Sequence, residues 1–159
     1  MKALIVVDYS ELTQLLAPQR AQGKTVALAN GCFDVLHVGH VRMLADARRE
    51  ADLLVVALNS DASVRENKGA ERPYQPLAER MEIIAALASV DYVTSYDDAT
   101  AGPLIDRLQP EVQIKGTDRS PDSVPERAQI EKYGGRIAIC GDPKTHSSSE
   151  LISGLRRED

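Results

Sequence analysis

Short apolar runs alternate along the chain with longer stretches of helical periodicity. Five of the runs are nearly continuous in apolar or β-branched residues, as strands buried on both faces of a sheet should be. These predicted strands are Thr25–Ala29, Leu53–Leu58, Tyr92–Ser95, Val112–Lys115 and Arg136–Cys140. Strands that alternate with helices are typical of a parallel sheet covered on both faces, so we predict an α/β, Rossmann-like, doubly wound fold with five parallel strands.

Six stretches place apolar residues at spacings of three and four, the period of an amphipathic helix. They are Ser10–Gln22, Val41–Ala51, Leu77–Ser89, Thr100–Leu108, Pro125–Tyr133 and Ser149–Arg157. The least periodic stretch, Asn67–Pro76, is predicted to be a surface loop. The length of 159 residues predicts a single domain, in which residues 1–21 form an N-terminal extension and helix and residues 22–157 form the core.

Composition and charge favour a small partner for this chain. A formal net charge of -5 disfavours a protein that binds nucleic acid through its overall field. Cys32 and Cys140 are too few for a disulfide framework and lack the spacing of a zinc site, which fits a reducing cytoplasm. The apolar run Ala3–Val7 ends at Asp8, too early for a signal peptide, and no stretch approaches the roughly 20 apolar residues of a membrane span.

The most informative segment follows the first predicted strand of the core. Residues 29–41 read ANGCFDVLHVGHV and pass through a glycine-bearing loop into a helix. Parallel sheets bind phosphates at such places, because loop amides and the helix dipole together favour an anion. Gly31 and Gly39 let the chain come close to that anion.

His37 and His40 lie three residues apart around the predicted helix start, so both imidazoles can face one pocket. Two fixed N–H donors would stabilise the charge that grows on phosphate oxygens during attack on an α-phosphorus. Capping or padding the helix is the commoner role of an isolated histidine, but two of the three histidines fall in this one motif. A zinc site is less favoured, since no Cys, Asp or Glu at suitable spacing completes it.

The run His37-Val38-Gly39-His40 has the form H-x-G-H, and the chain resembles the cytidylyltransferase-like nucleotidyltransferases that carry this signature. Other segments occur in the order seen in heptose 1-phosphate adenylyltransferases of that family. They are Asn30–Asp34, Asn59–Ser63, Lys68-Gly69 with Arg72-Pro73, Glu79–Met81, Val90–Val93 and Lys115–Asp118. The resemblance spans about residues 22–157. It implies transfer of AMP from ATP to heptose 1-phosphate with release of pyrophosphate, giving ADP-heptose for surface glycans, by a homodimer.

The resemblance also implies roles for individual residues. His37 and His40 would hold the triphosphate and stabilise the transition state, while Lys68 would approach the phosphates from a mobile loop. The implied contacts with nucleotide and phosphates are Asn30, Gly31, Cys32, Phe33, Gly39, Arg80, Gly116, Asp118, Ser147, Ser148 and Ser149. The implied contacts with the acceptor are Asp34, Arg72 and Lys115. A solvated surface position is the ordinary alternative for Lys68, Arg72 and Arg80.

The segment from Thr145 to Ser149 stands in the place of the family's I-S-T-T sequence. His146 replaces the usual apolar residue and serines replace both threonines. Hydroxyls and amides at this predicted helix start could hold the β- and γ-phosphates, and plain N-capping is the alternative role. No carboxylate set predicts a protein-held metal, so Mg²⁺ is expected to arrive with the triphosphate and to be held largely by phosphates and water.

Three other functions compete with this one. The first is a CTP-dependent cytidylyltransferase for glycerol 3-phosphate or a similar alcohol phosphate, which is disfavoured because Asp142 stands where such enzymes tend to have an arginine. The second is a nucleotide-binding module without turnover. The third, a fragment of a class I aminoacyl-tRNA synthetase, lacks a lysine-rich second signature. The chain has no room for a fused sugar kinase, so we expect another protein to supply that step.

Overall fold

The protein is described here by a computed structural model that covers residues 1–143 and 146–156. Six parallel strands form one sheet in the order β1-β4-β3-β2-β5-β6. The strands are β1 (Leu4–Asp8), β2 (Val26–Gly31), β3 (Leu53–Asn59), β4 (Tyr92–Tyr96), β5 (Val112–Gly116) and β6 (Arg136–Cys140). The predicted α/β, Rossmann-like parallel sheet is therefore confirmed, with six strands in place of five.

Helices connect successive strands and cover both faces of the sheet. They are α1 (Tyr9–Ala21), α2 (Val38–Ala47), α3 (Asp61–Lys68), α4 (Leu77–Ala85), α5 (Gly102–Leu108), α6 (Arg127–Lys132) and α7 (Ser148–Leu155), with a short 3₁₀ turn at Pro121–Ser123. Among the described residues, no helix has the length and apolar character needed to cross a membrane.

Two hydrophobic cores lie on opposite faces of the sheet. One packs Leu44 of α2 and Ile84 of α4 against the sheet, and the other packs Leu16 of α1 and Ile105 of α5. All seven residues of β3 are buried, because this strand lies inside the sheet with helices above and below it. The continuous apolar runs in the sequence follow from this burial on two faces.

The sixth strand, β1, comes from the apolar run near the N-terminus that the sequence analysis did not assign to the sheet. It pairs in parallel with β4 at the edge, and Val6 is its one buried residue. A five-residue edge strand with largely exposed side chains has no distinctive pattern, which explains why it was missed. The predicted extension, residues 1–21, therefore adds a strand and a helix to the fold.

Helix α3 was also not predicted. Its sequence, DASVRENK, is mostly polar and buries only Ser63 and Val64, so it lacks an apolar stripe. Because α3 ends at Lys68, the first two residues of the predicted loop 67–76 are helical. Helix α2 starts three residues earlier than predicted and α4 ends four residues earlier. Thr145 and Arg157, which belong to predicted segments, lie outside the described residues.

Strand β2 is the point where the order of the sheet reverses, since β3 follows it on one side and β5 lies on the other. In open α/β sheets, ligands bind in the crevice that forms beyond the carboxyl ends of the strands at such a switch point. Here the loops after β2, β5 and β6 meet around that crevice.

Candidate active site

The loop between β2 and α2 is held in an unusual backbone conformation. Phe33 and Val35 have φ angles of 48° and 62°, in the left-handed region that a β-branched residue such as valine rarely adopts. Such strain persists only where the surroundings hold it, and it concentrates at functional sites. The loop is thus shaped by its contacts with the rest of the protein.

Asp34 supplies the strongest of these contacts. Its buried carboxylate accepts hydrogen bonds from Nε of Arg72 at 2.7 Å and from the backbone amides of Tyr74 at 3.0 Å and Gln75 at 3.1 Å. Burial raises the pKa of Asp34, but the Tyr74 amide, the Arg72 guanidinium and the Gln75 amide together bring the pKa below its ordinary value. Asp34 is therefore an ionised anchor that ties the loop to residues 72–75.

The two histidines of the H-x-G-H sequence meet at the start of α2. His37 is the N-cap residue, and its Nδ1 accepts a hydrogen bond from the amide of Gly39 at 3.1 Å. Nδ1 of His40 accepts one from the amide of His37 at 3.3 Å, which completes a reciprocal capping box. The rings are stacked, with centroids 3.8 Å apart. The two imidazoles thus point from one helix start into one space, as the sequence predicts.

These backbone contacts determine where each imidazole carries its proton. A neutral imidazole has one donor and one acceptor nitrogen, and in both rings Nδ1 is the acceptor, so we assign the proton to Nε2. Burial lowers the pKa of His40 to about 4, with smaller contributions from the nearby charges of His37 and Lys68. At neutral pH the His40 ring is therefore an uncharged N–H donor.

Gly39 is required by the packing of the His37 ring. A Cβ atom at this position would lie 2.9 Å from both Cε1 and Nδ1 of His37. Side-chain atoms essentially never approach so closely without a shift, so any larger residue here would displace the ring. The glycine of the motif therefore has a steric role in addition to the close approach to an anion that the sequence predicts.

A second helix start lies in the wall of the same cavity. Ser147 is the N-cap of α7, and its hydroxyl accepts the amide hydrogen of Glu150 at 3.1 Å. Ser148 donates its hydroxyl to the carbonyl oxygen of Val35 at 2.8 Å, which joins α7 to the strained loop. Because helix starts favour anions, the positive ends of α2 and α7 make this cavity suited to a polyphosphate.

The cavity has a volume of about 350 Å³. Most of the residues predicted to contact nucleotide and phosphates line it, and so do Lys68 and Asp34. The predicted residues in its wall are Asn30, Gly31, Cys32, Phe33, Asp34, His37, Gly39, His40, Lys68, Gly116, Asp118, Ser147, Ser148 and Ser149. Lys68 reaches it from the C-terminal end of α3 rather than from a loop.

Three predicted site residues do not line the cavity. Arg72 is bound to Asp34, and Lys115 lies 3.5 Å from both Glu126 and Asn30. Arg80, which we expected to contact a phosphate or the nucleotide, is fully buried. Burial and ion pairing therefore give these side chains partners inside the protein.

Arg80 is fully buried beneath the loop between β2 and α2. Its NH1 nitrogen donates to the carbonyl oxygens of Cys32 at 2.7 Å and Asn59 at 2.9 Å, and its Nε donates to that of Gln75 at 3.0 Å. Its NH2 nitrogen forms an ion pair with Asp61 at 2.7 Å. One guanidinium thus joins the ends of β2 and β3 to the start of α3, so Arg80 supports the site from behind.

Sequence analysis missed several residues of the cavity wall. Arg42, one turn along α2, forms an ion pair with Asp142 at 2.7 Å, and Thr117 donates its hydroxyl to the carbonyl oxygen of Asp142 at 2.7 Å. Met43 and His146 also line the cavity. Asp142 follows the carboxyl end of β6, so its position in the sheet was a usable signal. Arg42 carries no such signal, because exposed arginines are common on helices.

Among the described residues, no three His, Cys, Asp or Glu side chains are placed to hold a metal ion together.

Comparison with known proteins agrees with this geometry. The cytidylyltransferase-like family matches residues 28–153. Two similar curated proteins, both named bifunctional protein HldE, are 46% identical to this chain. The protein from Syntrophotalea carbinolica matches over 89% of this chain and 29% of its own length. The protein from Geotalea uraniireducens matches over 95% of this chain and 31% of its own length. The chain thus spans about three-tenths of the length of these relatives.

Solved structures share the fold. A lipopolysaccharide core biosynthesis protein from Thermoplasma volcanium superposes with a TM-score of 0.66 at 25% identity, over 77% of this chain and all of that one. Pantothenate synthetase from Thermus thermophilus superposes with a TM-score of 0.65 at 15% identity, over 98% of this chain and 70% of its own, which shows similarity of fold alone.

Proposed function

Because the chain belongs to the cytidylyltransferase-like family and is a nucleotidyltransferase, we propose that it transfers AMP from ATP to a heptose 1-phosphate and releases pyrophosphate. The choice of substrates comes from the motifs shared with heptose 1-phosphate adenylyltransferases. The curated relatives named HldE and the neighbour titled as a lipopolysaccharide core biosynthesis protein support it. The observation that carries the proposal is the stacked pair His37 and His40 at the start of α2, inside a cavity with a second helix start.

In the proposed reaction an oxygen of the acceptor's phosphate attacks the α-phosphorus of ATP. A new phosphorus–oxygen bond forms, the bond from the α-phosphorus to the bridging oxygen breaks, and that oxygen leaves with the electron pair as part of pyrophosphate. The product is the ADP-sugar. No group of the protein has to form a covalent bond, so positioning and charge stabilisation account for the rate.

His37 and His40 are proposed to donate from Nε2 to oxygens of the reacting phosphate. Their Nδ1 atoms already accept backbone hydrogen bonds, so the rings are fixed before the substrate arrives. Donors that need no reorganisation stabilise the transition state more than the ground state. His40 is neutral at physiological pH, and a neutral imidazole does not lose its remaining N–H proton there. The Nε2–H of His40 is therefore a permanent hydrogen-bond donor.

Lys68 and the start of α7 complete the proposed triphosphate site. Lys68 would bring a positive charge to the phosphates, and Ser147, Ser148 and Ser149 would offer amides and hydroxyls to the β- and γ-phosphates. Mg²⁺ would neutralise charge on the leaving pyrophosphate, held mainly by phosphate oxygens and water. We place the reaction in the cytoplasm and expect a homodimer, which light scattering of the purified protein would test.

A pyrophosphate-release assay tests the substrates. Purified protein with Mg²⁺ should release pyrophosphate from ATP when heptose 1-phosphate is present. Release from CTP with glycerol 3-phosphate, and none from the first pair, would instead identify the chain as an alcohol-phosphate cytidylyltransferase. Nucleotide binding with no release from any pair would indicate a binding module.

A further inference from the structure

We propose that His146 is a third imidazole of this site and donates a hydrogen bond to the leaving pyrophosphate. This inference rests on the proposed nucleotidyl transfer. His146 immediately precedes Ser147, the N-cap of α7, and it lines the same cavity as His37 and His40. All three histidines of the chain are therefore in the wall of one cavity.

The rings of His146 and His37 lie close to each other in the cavity wall, at a separation that suits a shared anion. Their centroids are 6.3 Å apart and their planes are inclined by 49°. Hydrogen bonds from nitrogen to a charged oxygen are about 2.8 Å long, so one oxygen between two donors separates their nitrogen atoms by up to about 5.6 Å. The inclination of 49° excludes parallel stacking, and two rings whose centroids are 6.3 Å apart can both donate to oxygens of a single polyphosphate.

The exposure of His146 argues against a packing role. An apolar residue at this position could fill space at the start of α7, but the side chain of His146 is exposed and belongs to neither hydrophobic core. Its Cβ lies 3.7 Å from where a Cβ on Gly39 would be, so the histidine lies beside the first turn of α2. A polar ring presented to the cavity at this point is placed for a ligand.

The charge that develops during the reaction explains the need for another donor. Pyrophosphate gains negative charge as it leaves, and the amides at the start of α7 favour an anion on that side. Among the described residues, two cationic side chains line the wall, Lys68 and Arg42. Arg42 already forms an ion pair with Asp142. An imidazole N–H beside the α7 amides therefore adds to the stabilisation where the charge accumulates.

Calorimetric binding of two ligands to the purified chain tests the inference without turnover. The probes are inorganic pyrophosphate with Mg²⁺ and AMP. His146→Phe keeps a ring of similar shape and removes the donor, and we expect it to weaken pyrophosphate binding about tenfold, the effect of one hydrogen bond to a charged group, with AMP binding unchanged. Ser153→Ala, on the same helix but outside the cavity wall, is the matched control and should bind both ligands like the wild type.

Three results would overturn the inference: equal pyrophosphate affinity in His146→Phe and wild type, equal losses for AMP and pyrophosphate, or no pyrophosphate binding by the wild-type chain. Thermal melting of each variant controls for folding, and His146→Asn provides a second variant with a different shape. Failure of the proposed function is distinguishable, because it would appear as an inactive wild-type protein in the pyrophosphate-release assay whatever the binding results.

Discussion

The backbone amide of His37 donates to Nδ1 of His40 while Nδ1 of His37 accepts from the amide of Gly39. In this way the capping of α2 also fixes the tautomer of both imidazoles. The contacts that begin the helix place the proton of each ring on Nε2, and His40 stays uncharged. Structure formation and the proposed chemistry therefore depend on the same hydrogen bonds, and the predictions below separate the two.

The first prediction concerns the protonation of His40. Its Cε1 proton resonance, followed by NMR against pH, should titrate with a midpoint near 4, chiefly because burial disfavours the charged ring and also because Lys68 is nearby. An unfolded histidine titrates near 6.5. Between pH 6.5 and about 4 the unfolded state therefore takes up a proton on this histidine while the folded state does not. The free energy of unfolding should consequently fall as the pH falls through this range. His40→Asn should reduce this pH dependence, and a midpoint near 6.5 would contradict the neutral-donor assignment.

The second prediction concerns Gly39. In Gly39→Ala the new methyl group would lie 2.9 Å from the His37 ring, so the ring must move away from its stacked position. We expect turnover to fall at least tenfold while circular dichroism shows an intact fold. Gly154→Ala is the matched control, because a Cβ there meets no atom within 4 Å and alanine favours a helix over glycine by up to about 1 kcal/mol. Equal turnover in both variants would refute the steric role.

The third prediction concerns the buried Arg80. Arg80→Met keeps most of the volume but leaves the carbonyls of Cys32 and Asn59 and the carboxylate of Asp61 without their donor. Breaking a buried ion pair of this kind should lower the free energy of unfolding by about 3 kcal/mol, measured by urea denaturation. Arg49→Met removes a surface ion pair from a side chain that is 78% exposed, so it should cost less than about 0.5 kcal/mol. Similar losses in the free energy of unfolding for the two variants would show that Arg80 does not hold these segments together.

The sequence predicted the inner part of the fold well because burial on both faces imposes a strong pattern. Strands such as β3 consist entirely of buried residues, so their apolar runs were clear. Strand β1 and helix α3 were missed because each buries only one or two side chains. Strand β1 is positioned by pairing with β4, and α3 is held by the ion pair between Asp61 and Arg80, contacts between distant parts of the chain that local periodicity does not encode.

The candidate site was predicted through glycine spacing and the placement of His37 and His40 after β2. The direction of long cationic side chains was not predictable in the same way. Arg80 and Lys68 were both expected to meet phosphates, yet burial turns Arg80 towards backbone carbonyls while Lys68 lines the cavity. The direction of Arg80 is set by acceptors from three separate segments, which contribute Cys32, Asn59 with Asp61, and Gln75, so it is a property of the assembled tertiary structure.

The turnover of His37→Ala and His40→Ala, assayed by pyrophosphate release from ATP and heptose 1-phosphate, tests whether the two imidazoles act on the reacting phosphate. If both imidazoles donate to the reacting phosphate, each variant should lose a factor of about 10² or more in kcat while keeping its fold. Rates near that of the wild type in both folded variants would show that the two rings do not act on the phosphate, and the account of this site would be wrong.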